Sequence, residues 1–477
     1  MSRVHVSWII AIFSLSFVIG VCMAQWVLGW GSIVWFFVSV GMIGVVVWRK
    51  NRYLIPFMVV AGMMMGLWRG SIDQYALTIY KKLYDHSITV SGTVTDDIDI
   101  GKNGEVVARL GGLKADGHEL PGKIWVSAQT KFDIKRGDSV MVSGVLQTGF
   151  GNFAGAMYRA NISKVQRPEP GDVARQVRDW FADTIRLAIP NPQAALGIGF
   201  LVGQRRALPV ELDQALQIAG LTHIVVASGY NLTILVRLAR RLFVSVSKYL
   251  SALSATVMIV SFVAITGASP SMARAGLVSG LSLAAWYYGR KFHPLVLLPF
   301  AAAITVAVNP SFAWNDLGWQ LSFAAFAGVM ILAPLLQRYF YGEDKPGIVR
   351  QIVGETMSAH IMTLPILVVA FGQVSNVAIL ANVLILPFVP LAMLLTFIAG
   401  VGTLIAPGLA AIIGTPANVL LSYMVAVAEY LSKLPWAVTE VQIANWVSWV
   451  AYAGIVLLIV WLWRATKYDL RESNIVE

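Results

Sequence analysis

The sequence predicts a polytopic α-helical membrane protein of about twelve transmembrane helices with a small extracytoplasmic β-barrel of the oligonucleotide/oligosaccharide-binding (OB) type inserted after the third. Three observations predict it. The 477 residues are 57% hydrophobic and 13% charged, with mean hydropathy +0.69, which is more apolar surface than soluble cores can hide. Polar, alternating sequence is concentrated in one block, residues 71–166. The Lys and Arg residues that give a net charge of +11 recur on every second connection between apolar runs, as the positive-inside rule requires of cytoplasmic loops.

The elements follow in order. In the N-terminal region, residues 1–70, apolar stretches run from Val6 to Ala24, Trp30 to Trp48 and Tyr53 to Trp68, each near the length of a spanning helix. The first continues through a Gly29-Trp30-Gly31 turn into the second, the pattern of a helical hairpin rather than of a cleaved signal peptide. Arg49-Lys50-Asn51-Arg52 marks the next loop as cytoplasmic, which puts the N-terminus inside and the chain outside at Arg69.

In residues 71–166 five runs read as strands: SITVSGTVTD, GEVVARLGGL, GKIWVSAQ, DSVMVSGVLQ and MYRANISKV, separated by Gly, Asp and Asn turns. Pattern alone leaves a generic five-stranded barrel open beside the OB type. Eleven Lys and Arg stand against ten Asp and Glu in this block, so a strong electrostatic grip on a phosphate backbone is not expected of it. Trp125, Phe132, Phe150 and Tyr158 are its candidate stacking surfaces for nucleic acid.

Residues 167–192 read as a connector: prolines at its ends enclose an amphipathic helix from Val173 to Leu187 whose basic face carries Arg175, Arg178 and Arg186, expected to lie along the membrane surface. Residues 193–464 are apolar again, with nine further spans drawn from Ser228 to Trp463. Arg237, Arg240, Arg241 and Lys248, then Arg290 and Lys291, then Arg338, Lys345 and Arg350, and finally Arg464, Lys467 and Arg471 lie on alternate loops. Residues 465–477 are a cytoplasmic tail.

Polar groups at bilayer depth are costly unless they line a cavity or pair with neighbours, so they mark the candidate site. Arg205 and Arg206 follow the glycine-rich GIGFLVG segment, a candidate re-entrant loop or interfacial helix. His223, Ser228 and Asn231 lie in AGLTHIVVASGYNL; Arg274 sits one turn inside a helix beginning at Pro270; Asp316 and Gln320 open another, with Asp316 a natural partner for Arg274 or a helix cap. Pro365, Pro387 and Pro390 are expected to break helices in the same half of the bundle. The absences are as informative. No phosphate-loop motif is present, the six histidines are scattered without metal-ligand spacing, and the lone Cys22 allows neither a disulfide within the chain nor a thiolate cluster. Ser228 is not in a nucleophile elbow. No catalytic residue, metal or cofactor is assigned, and no enzymatic activity is expected.

Four blocks resemble one family: GFLVGQRRALPVELDQALQIAGLTHIVVASGYNL, SPSMARA, DLGWQLSFAAFAGVMILAPLL and TLPILVVAFGQVSNVAILANVLILPFVPLA. In order and spacing they are similar to the competence protein ComEC family of DNA-uptake channels. The resemblance implies an inner-membrane channel that imports single-stranded DNA into the bacterial cytoplasm during natural transformation. It also implies a cytoplasmic helicase-like motor, and an external DNA receptor or separate nuclease as partners alongside the lipid bilayer. Two departures stand out. Asn231 occupies the histidine position of the family's S-G-x-H motif, and the chain is expected to be a form lacking the C-terminal metallo-β-lactamase-like domain. The alternative readings are a transporter or flippase for a small anionic or lipid-linked solute, and an intramembrane hydrolase using His223 or His360.

Overall fold

The computed structural model describes residues 6–27, 29–49, 52–101, 104–115, 117–204, 208–225, 229–267, 269–289, 293–343, 347–441 and 444–468. They form two compact units, one of residues 1–175 with 299–317 and one of residues 176–298 with 318–477.

The first unit begins with α1 (Val6–Met23), α2 (Ile33–Arg49) and α3 (Ile55–Leu77). Helices α1 and α3 approach to backbone contact because α3 carries Gly62, Gly66 and Gly70 four residues apart: a methyl at Gly62 would lie 2.7 Å from the Phe13 carbonyl, and one at Gly66 would collide with that of Phe17. Between apolar helices in lipid, such close approach supplies dispersion energy that the hydrophobic effect cannot.

After α3 the chain continues through a short 3₁₀ segment, Thr78–Lys82, directly into a barrel of β1 (Ser87–Val94), β2 (Asp99–Ile100), β3 (Val106–Ala115), β4 (His118–Leu120), β5 (Ile124–Ala128), β6 (Ser139–Thr148), β7 (Gly155–Met157) and β8 (Asn161–Gln166). The main strands run in the order β1-β3-β5-β7-β6, and β6 pairs again with β1, closing the barrel; β5 and β7 are parallel and the other neighbours antiparallel. This closed Greek-key path is that of an OB-type barrel. The run expected as a fifth strand is two, β7 and β8, because Arg159 takes a left-handed turn (φ 51°) between them. Val90, Leu110, Ile124, Val126, Val142, Leu146 and Met157 fill the interior. Tyr80, from the 3₁₀ segment, is fully buried among them and donates its hydroxyl to the Pro121 carbonyl at 2.7 Å, while Tyr84 donates to Ala154 at 2.7 Å. The barrel is thereby joined to the end of α3 without a flexible linker.

α4 (Val173–Ala188) is the expected amphipathic helix, turned differently. Arg175 and Arg178 are buried, and Val173, Val177, Trp180 and Leu187 are exposed. Ala182, Ile185 and Ala188 are buried as well, so a second apolar stripe, rather than the basic face, is the side left open.

The second unit holds α5 (Gln193–Val202), α6 (Val210–Ile218), α7 (Thr222–Val225), α8 (Gly229–Phe243), α9 (Lys248–Thr266) and α10 (Pro270–Tyr287); most of α11 (Pro294–Val308) and all of α12 (Ser311–Asn315) belong to the first unit, and α13 (Leu317–Ala327) returns to the second. Then come α14 (Ala333–Tyr341), α15 (Ile348–Phe371), α16 (Ala378–Ile385), α17 (Val389–Ile405), α18 (Ala410–Ser432) and α19 (Asn445–Thr466), with the short strands β9 (Gln373–Ser375) and β10 (Val438–Glu440) paired antiparallel. Among the described residues eight helical segments are long and apolar enough to cross a membrane, or nine if the broken pair Val210–Ile218 and Thr222–Phe243 is one span. Three expected spans are not among them: α10, and α2 with 17 residues and α11 with 15, the last two shorter than a bilayer core requires of an untilted helix. Pro387 and Pro390 lie at the break between α16 and α17, but Pro365 is inside a continuous α15. The Tyr452 hydroxyl donates to the Met362 carbonyl at 3.0 Å in the turn that the proline disturbs, the kind of compensation that lets proline persist in membrane helices.

Candidate functional site

The centre of the second unit is built around a broken helix. α5 is ten residues long, about 15 Å, and Ala194 to Val202 are all buried. Two residues past the end of α6 comes Gly220, whose φ of 71° suits glycine and whose missing side chain is needed, since a Cβ would lie 2.7 Å from that of Ala378. The Ser375 hydroxyl donates to the Ile218 carbonyl at 2.6 Å, fastening the break to β9.

Breaking helices at bilayer depth frees carbonyls that need donors. Asn231, fully buried in the first turn of α8, supplies them: its amide donates to Phe200 at 3.1 Å and Ile224 at 3.3 Å, tying α5 and α7 together. The asparagine expected along the path is therefore a tie between chain segments. His223 lies in α7, three residues beyond the Gly220 break.

Arg274 lies on α10 and reaches α13. Its Nε donates to the Ser322 hydroxyl at 2.7 Å, and its guanidinium carbon lies 5.8 and 5.3 Å from the Phe323 and Phe326 ring centroids. A methyl at Gly229 would sit 3.3 Å from one terminal nitrogen, so glycine at the start of α8 makes room for the guanidinium. Among the described residues no carboxylate pairs with it. The ring faces offset part of the desolvation cost and leave the positive charge uncancelled. Gln320, half-buried, is on the same helix as Ser322. Ser322, Phe323 and Phe326 share one face at i, i+1 and i+4, a spacing visible in the sequence and passed over there.

In the first unit Asp316 has a partner of its own. Asn152, in the barrel turn between β6 and β7, donates to the Asp316 carboxylate at 3.3 Å, and the Ser311 hydroxyl donates to the Asn152 side-chain oxygen. Arg69 of α3 caps the end of α11, donating to Ala307 at 2.8 Å and Val308 at 3.0 Å, and Trp314 donates to the Val21 carbonyl of α1 at 2.8 Å. The barrel turn, α1, α3 and the α11–α12 corner are thus cross-linked by polar contacts.

Three of the four barrel aromatics come together. Trp125 lies 5.7 Å from Phe150 and 5.0 Å from Tyr158, and Phe150 lies 5.5 Å from Phe153, which the sequence reading did not select. Phe150 and Tyr158 are exposed; Phe132 is also exposed, in a separate loop. The cations flanking Trp125 are already paired. Arg109, its cross-strand neighbour, reaches Asp99 at 2.8 Å, and Lys123 reaches Asp96 at 3.5 Å. Burial opposes ionisation of Asp96, but Lys123, the Thr95 hydroxyl and Arg109 outweigh it and hold the carboxyl below its usual range. At the barrel's foot burial likewise opposes ionisation of Asp138, and the Arg167 guanidinium, at 2.9 and 2.8 Å, with the Lys135 N–H at 2.9 Å overcomes it, lowering that carboxyl too.

Arg205, Arg206 and Ser228, and the tail from residue 469, lie outside the described residues.

Fold and site define a polytopic helical membrane protein with an inserted closed barrel and an arginine held among aromatic rings in its bundle. A family model described as "Competence protein" matches residues 200–466, more than half of the chain, and the chain belongs to that family. It is similar to ComE operon protein 3 of Bacillus subtilis (strain 168), with 26% identity over 217 residues, 45% of this chain and 27% of the relative. The matched region thus spans about a quarter of that curated relative's length. No solved structure matches the chain.

Proposed function

We propose that this chain forms a channel in the bacterial inner membrane through which a single strand of DNA enters the cytoplasm during natural transformation. The observation that carries the reading is Arg274: a guanidinium among apolar helices, without a carboxylate partner among the described residues, oriented by Ser322 and given room by Gly229. A fixed, uncancelled cation of this kind suits a passing phosphodiester, which a planar guanidinium can bind through two hydrogen bonds. Membership of the Competence protein family supports it.

Arg205, Arg206, His223, Ser228 and Gln320 are proposed to line the path with Arg274; Asn231 and Asp316 contribute by holding the broken helix and the barrel turn in place. The cluster of Trp125, Phe150 and Tyr158, whose neighbouring cations are already paired, suits base stacking on the extracytoplasmic side more than phosphate capture. Alternating basic loops support cytoplasmic N- and C-termini. Without a phosphate-loop motif, transport is assigned to a cytoplasmic helicase-like motor, with an external receptor or a separate nuclease supplying the strand.

The test is uptake of labelled DNA into a nuclease-protected cytoplasmic pool in a competent strain deleted for this chain. Uptake is expected to return with the wild type and not with Arg274→Ala at equal membrane abundance. Unchanged uptake on deletion would overturn the reading.

A further inference from the structure

A second concentration of positive charge lies where α8 ends and α9 begins. Arg237, Arg240 and Arg241 fall within one helical turn, and Lys248 opens α9. From residue 214 to residue 315 the sequence contains no Asp or Glu, so every formal charge in the segment that carries these residues is positive. Like charges three and four residues apart on a helix repel one another, and a phosphate placed among them would relieve that repulsion.

The geometry is more specific than a basic loop. The Arg240 guanidinium lies 4.9 Å from the Trp286 ring centroid and the Lys248 ammonium 5.7 Å from the same centroid, with Lys248 also 5.5 Å from Tyr287. Two cations from different helices are therefore gathered on one indole. The hairpin holds them there: the Ser251 hydroxyl donates to the Arg240 carbonyl at 2.8 Å, Ser254 to Ala239 at 3.2 Å, and Ser247 caps α9. Around them Leu242, Val244, Val246 and Tyr249 are exposed apolar or aromatic side chains. Cations above an aromatic pair, bordered by apolar groups at the end of a spanning helix, match a lipid headgroup with its acyl chains more closely than a strand in a hydrated path.

We propose that Arg240, Lys248 and Trp286, with Arg237 and Arg241 beside them, form a binding site for the phosphate of an anionic phospholipid of the phosphatidylglycerol or cardiolipin class. The site is independent of the DNA path. It anchors the α8–α9 hairpin, and with it the Asn231 tie at the other end of α8, against the membrane surface.

The test titrates purified full-length protein in neutral detergent with cardiolipin, and with phosphatidylcholine as the neutral comparison, reading bound lipid by native mass spectrometry. Cardiolipin is expected to bind in preference. Each cation removed is expected to weaken it about fivefold, so that Arg240→Gln with Lys248→Gln weakens it about 25-fold. Arg338→Gln, which removes a guanidinium already paired with Glu343, is expected to leave it unchanged. Lys248→Gln alone, at an exposed position, reads the effect should the double variant not fold. Equal retention of the two lipids, or cardiolipin binding unchanged in both Lys248 variants, would overturn the proposal. So would displacement of cardiolipin by a short oligothymidylate whose own binding falls equally in those variants, which would assign the cluster to nucleic acid.

Discussion

Trp125 stands between Phe150 and Tyr158 with its flanking cations engaged by Asp96 and Asp99, so its contribution to strand binding would come from its ring. A stacked base is worth about 1–3 kcal/mol, and Trp125→Ala is expected to lower the full-length protein's affinity for single-stranded DNA by about 5- to 150-fold, with little change in its salt dependence. A fluorescence anisotropy titration at two salt concentrations checks both. Asp138 makes a different prediction. Its folded carboxyl lies below the ordinary range because Arg167 and the Lys135 N–H outweigh its burial. The stabilisation is therefore fully present above the unfolded carboxylate range and is lost as pH falls through the folded value. Protection from hydrogen exchange in β1 and β6, relative to the intrinsic rate, is expected to fall on acidification below about pH 4, and Asp138→Asn is expected to remove that contribution to the pH dependence.

Among the elements, α1 and α3 depend on the glycines between them. Gly66 meets the Phe17 backbone directly, so Gly66→Leu must separate the helices. The cost is about 1–3 kcal/mol for overpacking, read as a lowered midpoint for thermal loss of monodisperse protein. Because α3 runs into the buried Tyr80 of the barrel, the same variant is expected to increase proteolysis of the Phe150 turn. The spacing of Gly62, Gly66 and Gly70 was legible in the sequence. Which helix they face was not, since any apolar helix in lipid could have filled that role.

For the molecule as a whole, the positive-inside pattern makes a direct prediction. In a Cys22→Ala background, Glu119→Cys, at an exposed strand position, is expected to react with a membrane-impermeant maleimide in intact spheroplasts. Labelling only after lysis would place the barrel in the cytoplasm and reverse the orientation.

Apolar run length, strand alternation and the single polar block determined by themselves that this chain is a multi-helix membrane protein with a barrel after its third helix, because those patterns follow from local geometry and the cost of unsatisfied backbone in lipid. The order of the strands around the barrel required tertiary pairing, since the left-handed turn at Arg159 separates β7 from β8 within one alternating run. So did the roles of the polar residues. Asn231 and Arg274 both read as polar groups in apolar helices, yet one meets two backbone carbonyls and is used up, while the other meets a hydroxyl and two rings and keeps its charge. What a buried polar side chain does is decided by the groups that reach it from distant parts of the chain, and no local pattern in the sequence specifies them.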